Sequence, residues 1–304
     1  MLDCLIIGGG PAGLAAATYL GRYRRAALVI DAGASRAAKI PLTHNYSGFK
    51  GIAGPDLLAR LRQQAMMYGT KVQAGRVTSL RRVANGFVAG VEGREIEARF
   101  VLMATGLVDE APVIEGDPDL GSIEAIRYCP ICDGYEAMDR KVGVLGNLQD
   151  GGKKALFLRT YTRDVSLFST DDIVRCADSD KLIDAGIAIF PNAGPIAVAG
   201  NDQLSVRLED GTEQHVDCLY PALGCAVRSD LALALGAMGD DVGCLEVDGH
   251  QQTTVDGLYA AGDVVTDLHQ LSVAIGHAAV AATRIHNRLP FNPRERGCSA
   301  DQRP

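Results

Sequence analysis

The chain has 304 residues, 47% hydrophobic and 22% charged, with a formal net charge of −7, eight Cys and no Trp. That composition is globular rather than disordered or fibrous, the length suits about two domains, and scattered acidic residues argue against nucleic acid or anionic lipid as a partner. No apolar run approaches the roughly 20 residues of a membrane span and no signal-peptide pattern precedes the first strand, so a cytoplasmic protein without membrane contact is expected. Thiols stay reduced in that compartment, so the cysteines do not read as a disulfide framework.

In chain order, a strand over residues 2–7 leads into Gly8-Gly9-Gly10-Pro11-Ala12-Gly13, an alanine-rich helix to about residue 22, and a strand over 26–30 ending at Asp31. Gly8, Gly10 and Gly13 fit G-x-G-x-x-G in the strand-to-helix setting that the motif requires. Gly8 permits the turn, Gly10 lets the backbone approach a pyrophosphate, and Gly13 lets helix and strand pack closely. The helix N-terminus adds donors and partial positive charge, and Asp31 stands near the roughly 20-residue spacing of a ribose-binding carboxylate. The run Arg22, Arg24, Arg25 reads as a solvated helix end, with docking of an acidic electron donor as its alternative.

Residues 71–102 are strand-rich, with a hairpin signalled at Asn85-Gly86, and lead to Ala104-Thr105-Gly106. Pro112 and Pro118 mark a first crossover between domains. Cys129-Pro130-Ile131-Cys132-Asp133 offers two thiols that either close a small redox ring or supply half of a zinc site. The nearest further cysteines, Cys218 and Cys225, are poorly spaced for zinc, so redox exchange is favoured: one thiolate attacks a partner disulfide and the other resolves the mixed disulfide. Asp133 suits thiol proton transfer, or else a helix cap.

A second strand-glycine-helix unit follows, with a strand over 141–145, a loop from Gly146 to Gly151, a helix over about 153–161 and a strand over 164–168. A second crossover is expected near 238–243, then a strand over 244–247, the run Gly257 to Asp263, an alanine-rich helix over 271–289 and a loose tail over the last dozen residues. His269 and His277 bracket the start of that helix. A local polar role outweighs proton carriage for both, and His277 ranks first should either carry protons. Cys4, Cys176, Cys218, Cys225, Cys244 and Cys298 read as small buried hydrophobes, Cys298 being an exposed thiol in the alternative. The fold class is α/β, with two Rossmann-like doubly wound domains.

The glycine loop, Ala104-Thr105-Gly106, Cys129 to Asp133 with Gly134-Tyr135, and Tyr259-Ala260-Ala261-Gly262-Asp263 occur in an order that resembles the low-molecular-weight thioredoxin reductases over roughly residues 2–289. The resemblance implies an FAD domain, 1–111 plus 241–304, interrupted by a smaller nucleotide-binding-like domain, 112–240, that carries the CxxC. It assigns Gly8, Gly10, Pro11, Ala12, Gly13 and Asp31 to the FAD pyrophosphate and ribose, and Thr105 and Gly106 to the same cofactor. It places Asn45, Gly262, Asp263, Gln270, Leu271 and Ser272 around the flavin and its chain. Cys132 matches the thiol beside the flavin, Cys129 the attacking thiol, and Asp133 the proton donor. It further implies a homodimer acting on a thioredoxin-like protein or a small disulfide or dithiol.

Three segments depart from that pattern. Leu148 replaces the middle glycine of the second loop, where a side chain would fill the space a pyrophosphate needs. The next strand ends in Ser169-Thr170-Asp171-Asp172, where NADPH-specific relatives carry a basic cluster for the 2′-phosphate, which carboxylates repel. NADPH use in the usual way is therefore not expected; ferredoxin, a second flavin or NADH are the alternative electron sources. Residues 35–40 also lack the family's Gly-Gly-Gln. Two rival functions stand beside the reductase reading: an oxygen-dependent dithiol oxidase, and a flavin-bearing redox sensor or binding protein.

Overall fold

The computed structural model describes residues 1–115, 124–171, 177–191, 194–198, 203–265 and 268–294. Pro118, Asp172, Cys176, Cys298 and most of the expected tail lie outside the described residues. Two compact units result, one from Met1–Leu42, Tyr46–Val108 and Ala226–Pro304, the other from Thr43–Asn45 and Asp109–Cys225. Among the described residues no helix is long and apolar enough to cross a membrane.

The first unit begins with β1 (Leu2–Ile7), whose last four residues are buried. Such a continuous apolar run suits a central parallel strand covered on both faces, and β1 lies between β2 (Ala27–Asp31) and β6 (Arg94–Met103), parallel to both. Helix α1 (Pro11–Arg22) joins β1 to β2, and α2 (Gly54–Met67) leads to the edge strand β3 (Lys71–Ala74). β4 (Val77–Val83), β5 (Gly86–Val91) and the first half of β6 form an antiparallel meander. The expected hairpin at Asn85-Gly86 is present, with Gly86 at φ 139°. A second tight turn joins β5 to β6 through Glu92 (φ 48°) and Gly93 (φ 78°), the left-handed pair of a primed turn. β7 (Leu107–Asp109) carries the chain into the second unit.

In the second unit a single turn, α3 (Pro130–Asp133), holds the CxxC. Then come β8 (Val142–Gly146), α4 (Asp150–Leu158), β9 (Val165–Ser169), α5 (Ala177–Asp184) and β10 (Ala188–Phe190). β11 (Ile196–Val198), β12 (Leu204–Arg207) and β13 (Glu213–Val216) form an antiparallel sheet, and β14 (Cys218–Ala222) returns to pair with β8. The order β10-β9-β8-β14 is all parallel, a smaller copy of the first unit's plan. β15 (Cys225–Val227) leads back to the first unit.

The return crossing falls after Cys225, earlier than the expected 240/241. The reason is apolar: α6 (Asp230–Leu233) follows at once, and Ala232 and Ala237 are buried in the same core as Leu5 and Ile30. The strand expected over 244–247 is not formed; Leu245 makes only isolated bridges to Gly239 and Val265. β16 (Leu258–Ala260) pairs with the last residues of β6. The long α7 (Leu271–Arg288) packs on α1 through Ala12, Ala15, Ala16, Ala274, Ala278 and Ala281, small side chains that let two helices approach closely.

Candidate active site

The loop between β1 and α1 has contacts that only glycine allows. At Gly8 (φ +115°) a Cβ would stand 2.2 Å from the Ala104 carbonyl oxygen, and at Gly13 one would stand 1.9 Å from the Gly8 oxygen. Gly10 differs: a Cβ there would meet only Ser35 Oγ, at 3.3 Å, so its backbone stays open to approach. Pro11 fills the first helical turn, where its missing N–H is not needed. No side chain caps α1, so the amides of Ala12 and Gly13 lie at a helix end without intrahelical acceptors.

Asp31 packs on Gly9, accepts the Gly33 N–H at 2.9 Å and pairs with Arg62 from α2. A carboxylate offers about four acceptor positions, so capacity remains for a ribose hydroxyl. Gly262 (φ +81°) sits so close to α1 that its Cβ would be 3.0 Å from that of Ala12. Asp263 is ion-paired with Arg36 at 3.2 Å, in the segment where the family's Gly-Gly-Gln is missing. Thr105 Oγ1 donates to the Arg228 carbonyl at 2.6 Å beside Gly106 (φ 65°). Gln270 is the N-cap residue of α7, with Leu271 and Ser272 in its first turn. All of these lie in the first unit. Asn45 does not: it belongs to the second unit, where its Nδ2 donates to the Ile131 carbonyl at 3.3 Å and its Oδ1 accepts from Thr43 Oγ1 at 3.0 Å.

Cys129 and Cys132 form a disulfide, with Cα atoms 5.3 Å apart. Cys129 is the N-cap residue of α3, Pro130 fixes the first turn, and the Cys132 N–H points at the Cys129 sulfur at 3.2 Å. A backbone donor aimed at a sulfur at the start of a helical turn favours its thiolate once the ring opens. Both cysteines are half-buried, while Ile131 and Tyr135 beside them are exposed.

Asp133 follows on the same turn, but its carboxylate is held from the unit's interior. The hydroxyl of Tyr220, a fully buried residue of strand β14, donates to Asp133 Oδ1 at 2.8 Å. Arg127 donates to the Asp133 carbonyl oxygen at 3.2 Å, and its charge acts on the Tyr220 phenol. Burial raises the Asp133 carboxyl above its ordinary value, against the opposing pull of Tyr220 and Arg127. Sequence reasoning did not reach these two partners: a Tyr on an apolar strand reads as core, and only the position of Arg127 two residues before Cys129 hinted at a role.

The second glycine loop is closed on itself. The Leu148 N–H donates to Asp171 Oδ2 at 3.0 Å, and the Asp150 N–H donates to Asn147 Oδ1 at 2.6 Å. The Leu148 side chain, expected in the pyrophosphate space, packs on the core cluster that includes Val144 and Tyr220. Gly146 and Gly151 serve packing, since Cβ atoms there would stand 2.5 Å from the Ala222 oxygen and 2.9 Å from Leu167 Cδ1.

Arg22 and Arg24 are exposed, as a solvated helix end requires, and Arg22 donates to Tyr68 Oη at 2.9 Å; Arg25 is half-buried and binds His286 Nδ1 and the Pro290 carbonyl, each at 2.9 Å, so the segment after α1 is held to the end of α7. Cys4, Cys218 and Cys244 are buried, and Cys225 is half-buried. His269 and His277 each carry a solvent-shielded ring nitrogen at the start of α7.

Residues 2–282 match the model of the pyridine nucleotide-disulphide oxidoreductase family. The chain belongs to that family. Among its relatives, the thioredoxin reductase of Peptoclostridium acidaminophilum is 27% identical over 95% of this chain and 98% of its own; that of Mycolicibacterium smegmatis is 28% identical over 92% and 94%. The crystal structure of HlmI covers 94% of this chain and 92% of its own, with 28% identity and a TM-score of 0.85. The atypical thioredoxin reductase TRi from Desulfovibrio vulgaris Hildenborough is 32% identical over 96% and 100%, with a TM-score of 0.54. As a member of the pyridine nucleotide-disulphide oxidoreductases, this chain is a thioredoxin reductase-like, FAD-dependent oxidoreductase acting on sulfur groups, and its α/β Rossmann-like architecture is that of the family.

Proposed function

We propose that the protein exchanges electrons between its FAD and a dithiol or disulfide partner through Cys129 and Cys132, and that NADPH does not supply them at the second glycine loop. The observation that carries the first half is the Cys129–Cys132 disulfide on the α3 turn, with the Cys132 N–H aimed at the Cys129 sulfur. For the second half it is Asp171, whose carboxylate takes the Leu148 amide at the place where a pyrophosphate oxygen would be bound.

The first unit fits FAD, because Gly8 and Gly13 pack where a Cβ has no room while Gly10 stays open. Gly8 to Gly13 would hold the pyrophosphate and Asp31 a ribose hydroxyl. Thr105, Gly106, Gly262, Asp263, Gln270, Leu271 and Ser272 would line the rest of the cofactor, with Asn45 assigned to the flavin by family likeness. Bound there, FAD supplies two-electron transfer to and from sulfur. The chain's own residues do the rest. With the ring reduced, the Cys129 thiolate, favoured by the Cys132 N–H, attacks the partner disulfide, forming a mixed disulfide and expelling one partner sulfur. Asp133 gives its proton to that sulfur. The Cys132 thiolate then closes the ring and releases the second partner sulfur, which is protonated from water.

A thioredoxin-like protein is the favoured partner, as the names of the relatives suggest, and the exposed Ile131 and Tyr135 offer it an apolar contact beside the disulfide. The closed loop also favours a second reading, a dithiol oxidase in which the same steps run backwards and electrons leave to oxygen. Anaerobic mixing with NADPH, NADH and reduced ferredoxin separates these readings. Slow or absent flavin bleaching by NADPH is expected; prompt bleaching overturns the donor half of the proposal.

A further inference from the structure

Resting on that reading of Asp133, we infer that Tyr220 is a positioning residue for proton delivery at the CxxC, holding the Asp133 carboxylate through a buried hydrogen bond that Arg127 braces from behind. The geometry is specific. Tyr220 is fully buried on β14, and its hydroxyl donates to Asp133 Oδ1 at 2.8 Å and lies 3.3 Å from the Asp133 carbonyl oxygen. Arg127 donates to the same carbonyl oxygen at 3.2 Å, and its charge acts on both the phenol and the Asp133 carboxylate. Gly134, next after Asp133, is buried and donates its N–H to the Pro130 carbonyl at 2.8 Å, and a Cβ there would stand 2.8 Å from the Tyr161 ring, so the turn after Asp133 packs closely against that ring. The carboxylate is thereby fixed on the residue that follows Cys132.

Other groups facing Asp133 set its proton affinity. Glu136 raises it, and Arg127 and Lys154 lower it. Lys154, from α4, donates to the Tyr128 and Pro221 carbonyls at 3.3 and 2.5 Å. Glu136 is itself held by His44 at 2.8 Å, and Cys218 lies on the same strand as Tyr220. Burial and the Asp133 charge push the Tyr220 phenol far above its usual range, so it remains a donor across the working pH. A donor to a carboxylate favours the charged form, so Tyr220 keeps the Asp133 proton transferable rather than locked on by burial.

The test compares two small disulfides added anaerobically to dithionite-reduced holoprotein, with the rate of thiol release read across pH. An aromatic disulfide such as dithionitrobenzoate leaves as a stable thiolate and needs no proton, whereas 2-hydroxyethyl disulfide leaves as a basic thiolate that does. Asp133→Asn is expected to slow the alkyl disulfide about a hundredfold, the lower range of general-acid effects, and to leave the aromatic one nearly unchanged. Tyr220→Phe is expected to slow the alkyl disulfide about tenfold, the loss of one hydrogen bond to a charged group, and to move the high-pH fall in rate to higher pH. It should add nothing in the Asp133→Asn background. Arg127→Gln, which leaves the phenol in place, should move the same fall in the same direction. If Tyr220→Phe slows both disulfides equally, or leaves the pH profile unmoved while Asp133→Asn behaves as stated, the positioning role is overturned and the reading of Asp133 stands. If Asp133→Asn is silent on the alkyl disulfide, the reading of Asp133 falls, and the role of Tyr220 with it.

Discussion

Replacing Asp171 by Ala should open the second glycine loop to a nicotinamide dinucleotide. Its Oδ2 accepts the Leu148 N–H at 3.0 Å, and a phosphate oxygen bound by that amide would need nearly the same position, about 3 Å from the nitrogen. Two like charges held about 4 Å apart repel by about 1 kcal/mol in water and about 4 kcal/mol at an effective dielectric constant near 20. The loop is exposed, so the lower end applies, about 1–2 kcal/mol. Displacing the carboxylate from the amide adds about 1 kcal/mol. The sum, about 2–3 kcal/mol, corresponds to roughly 30- to 150-fold in affinity. Asp171→Ala should therefore bind NADH and NADPH tighter by about that factor in isothermal titration calorimetry, and adding Leu148→Gly should tighten them further. A wild-type protein that binds NADH and loses it on Asp171→Ala would show that the carboxylate serves a ribose hydroxyl and does not close the loop.

Two further outcomes follow from burial and close contact. Gly13→Ala would place a Cβ 1.9 Å from the Gly8 carbonyl oxygen, a backbone clash that should cost about 3 kcal/mol in thermal unfolding and release FAD; a yellow variant of unchanged stability argues against the assigned loop. Burial pushes the Cys218 thiol up from 9.0 to about 11. The folded state thus keeps a proton that the unfolded state loses, so this thiol's contribution to stability is fully present below pH 9 and lost as pH rises from 9 towards about 11. Cys218→Ala should flatten that fall in thermal melts, and an unchanged pH dependence would count against a buried thiol there.

The first glycine loop, the duplicated strand-helix plan and the CxxC were legible because each depends on neighbours in sequence: a φ that only glycine adopts at Gly8, a strand as continuously apolar as β1, and two thiols one turn apart. What escaped depends on packing between distant segments. Tyr220 and Arg127 meet Asp133 only when β14 folds beside β8, and nothing in an apolar strand marks one phenol as a donor. The return crossing, expected at 240/241 from the family resemblance, comes earlier because Ala232 and Ala237 bury with Leu5 and Ile30 in the first unit's core. The turn at Glu92-Gly93 was hidden because Glu rarely takes a positive φ. Leu148 stands out in sequence as a departure from the dinucleotide pattern, but the partner of its amide, Asp171, is 23 residues away and meets it only when β9 folds beside β8.

Multiple turnover of a disulfide substrate by wild type and by Cys132→Ser, with flavin absorbance recorded on both, bears on the proposal that electrons move between FAD and a partner through Cys129 and Cys132. Cys132→Ser should stay yellow, retain its melting temperature and lose turnover, because the remaining Cys129 can form a mixed disulfide but has no neighbouring thiol to resolve it. Sustained turnover by the yellow Cys132→Ser protein would mean that the electrons take another route.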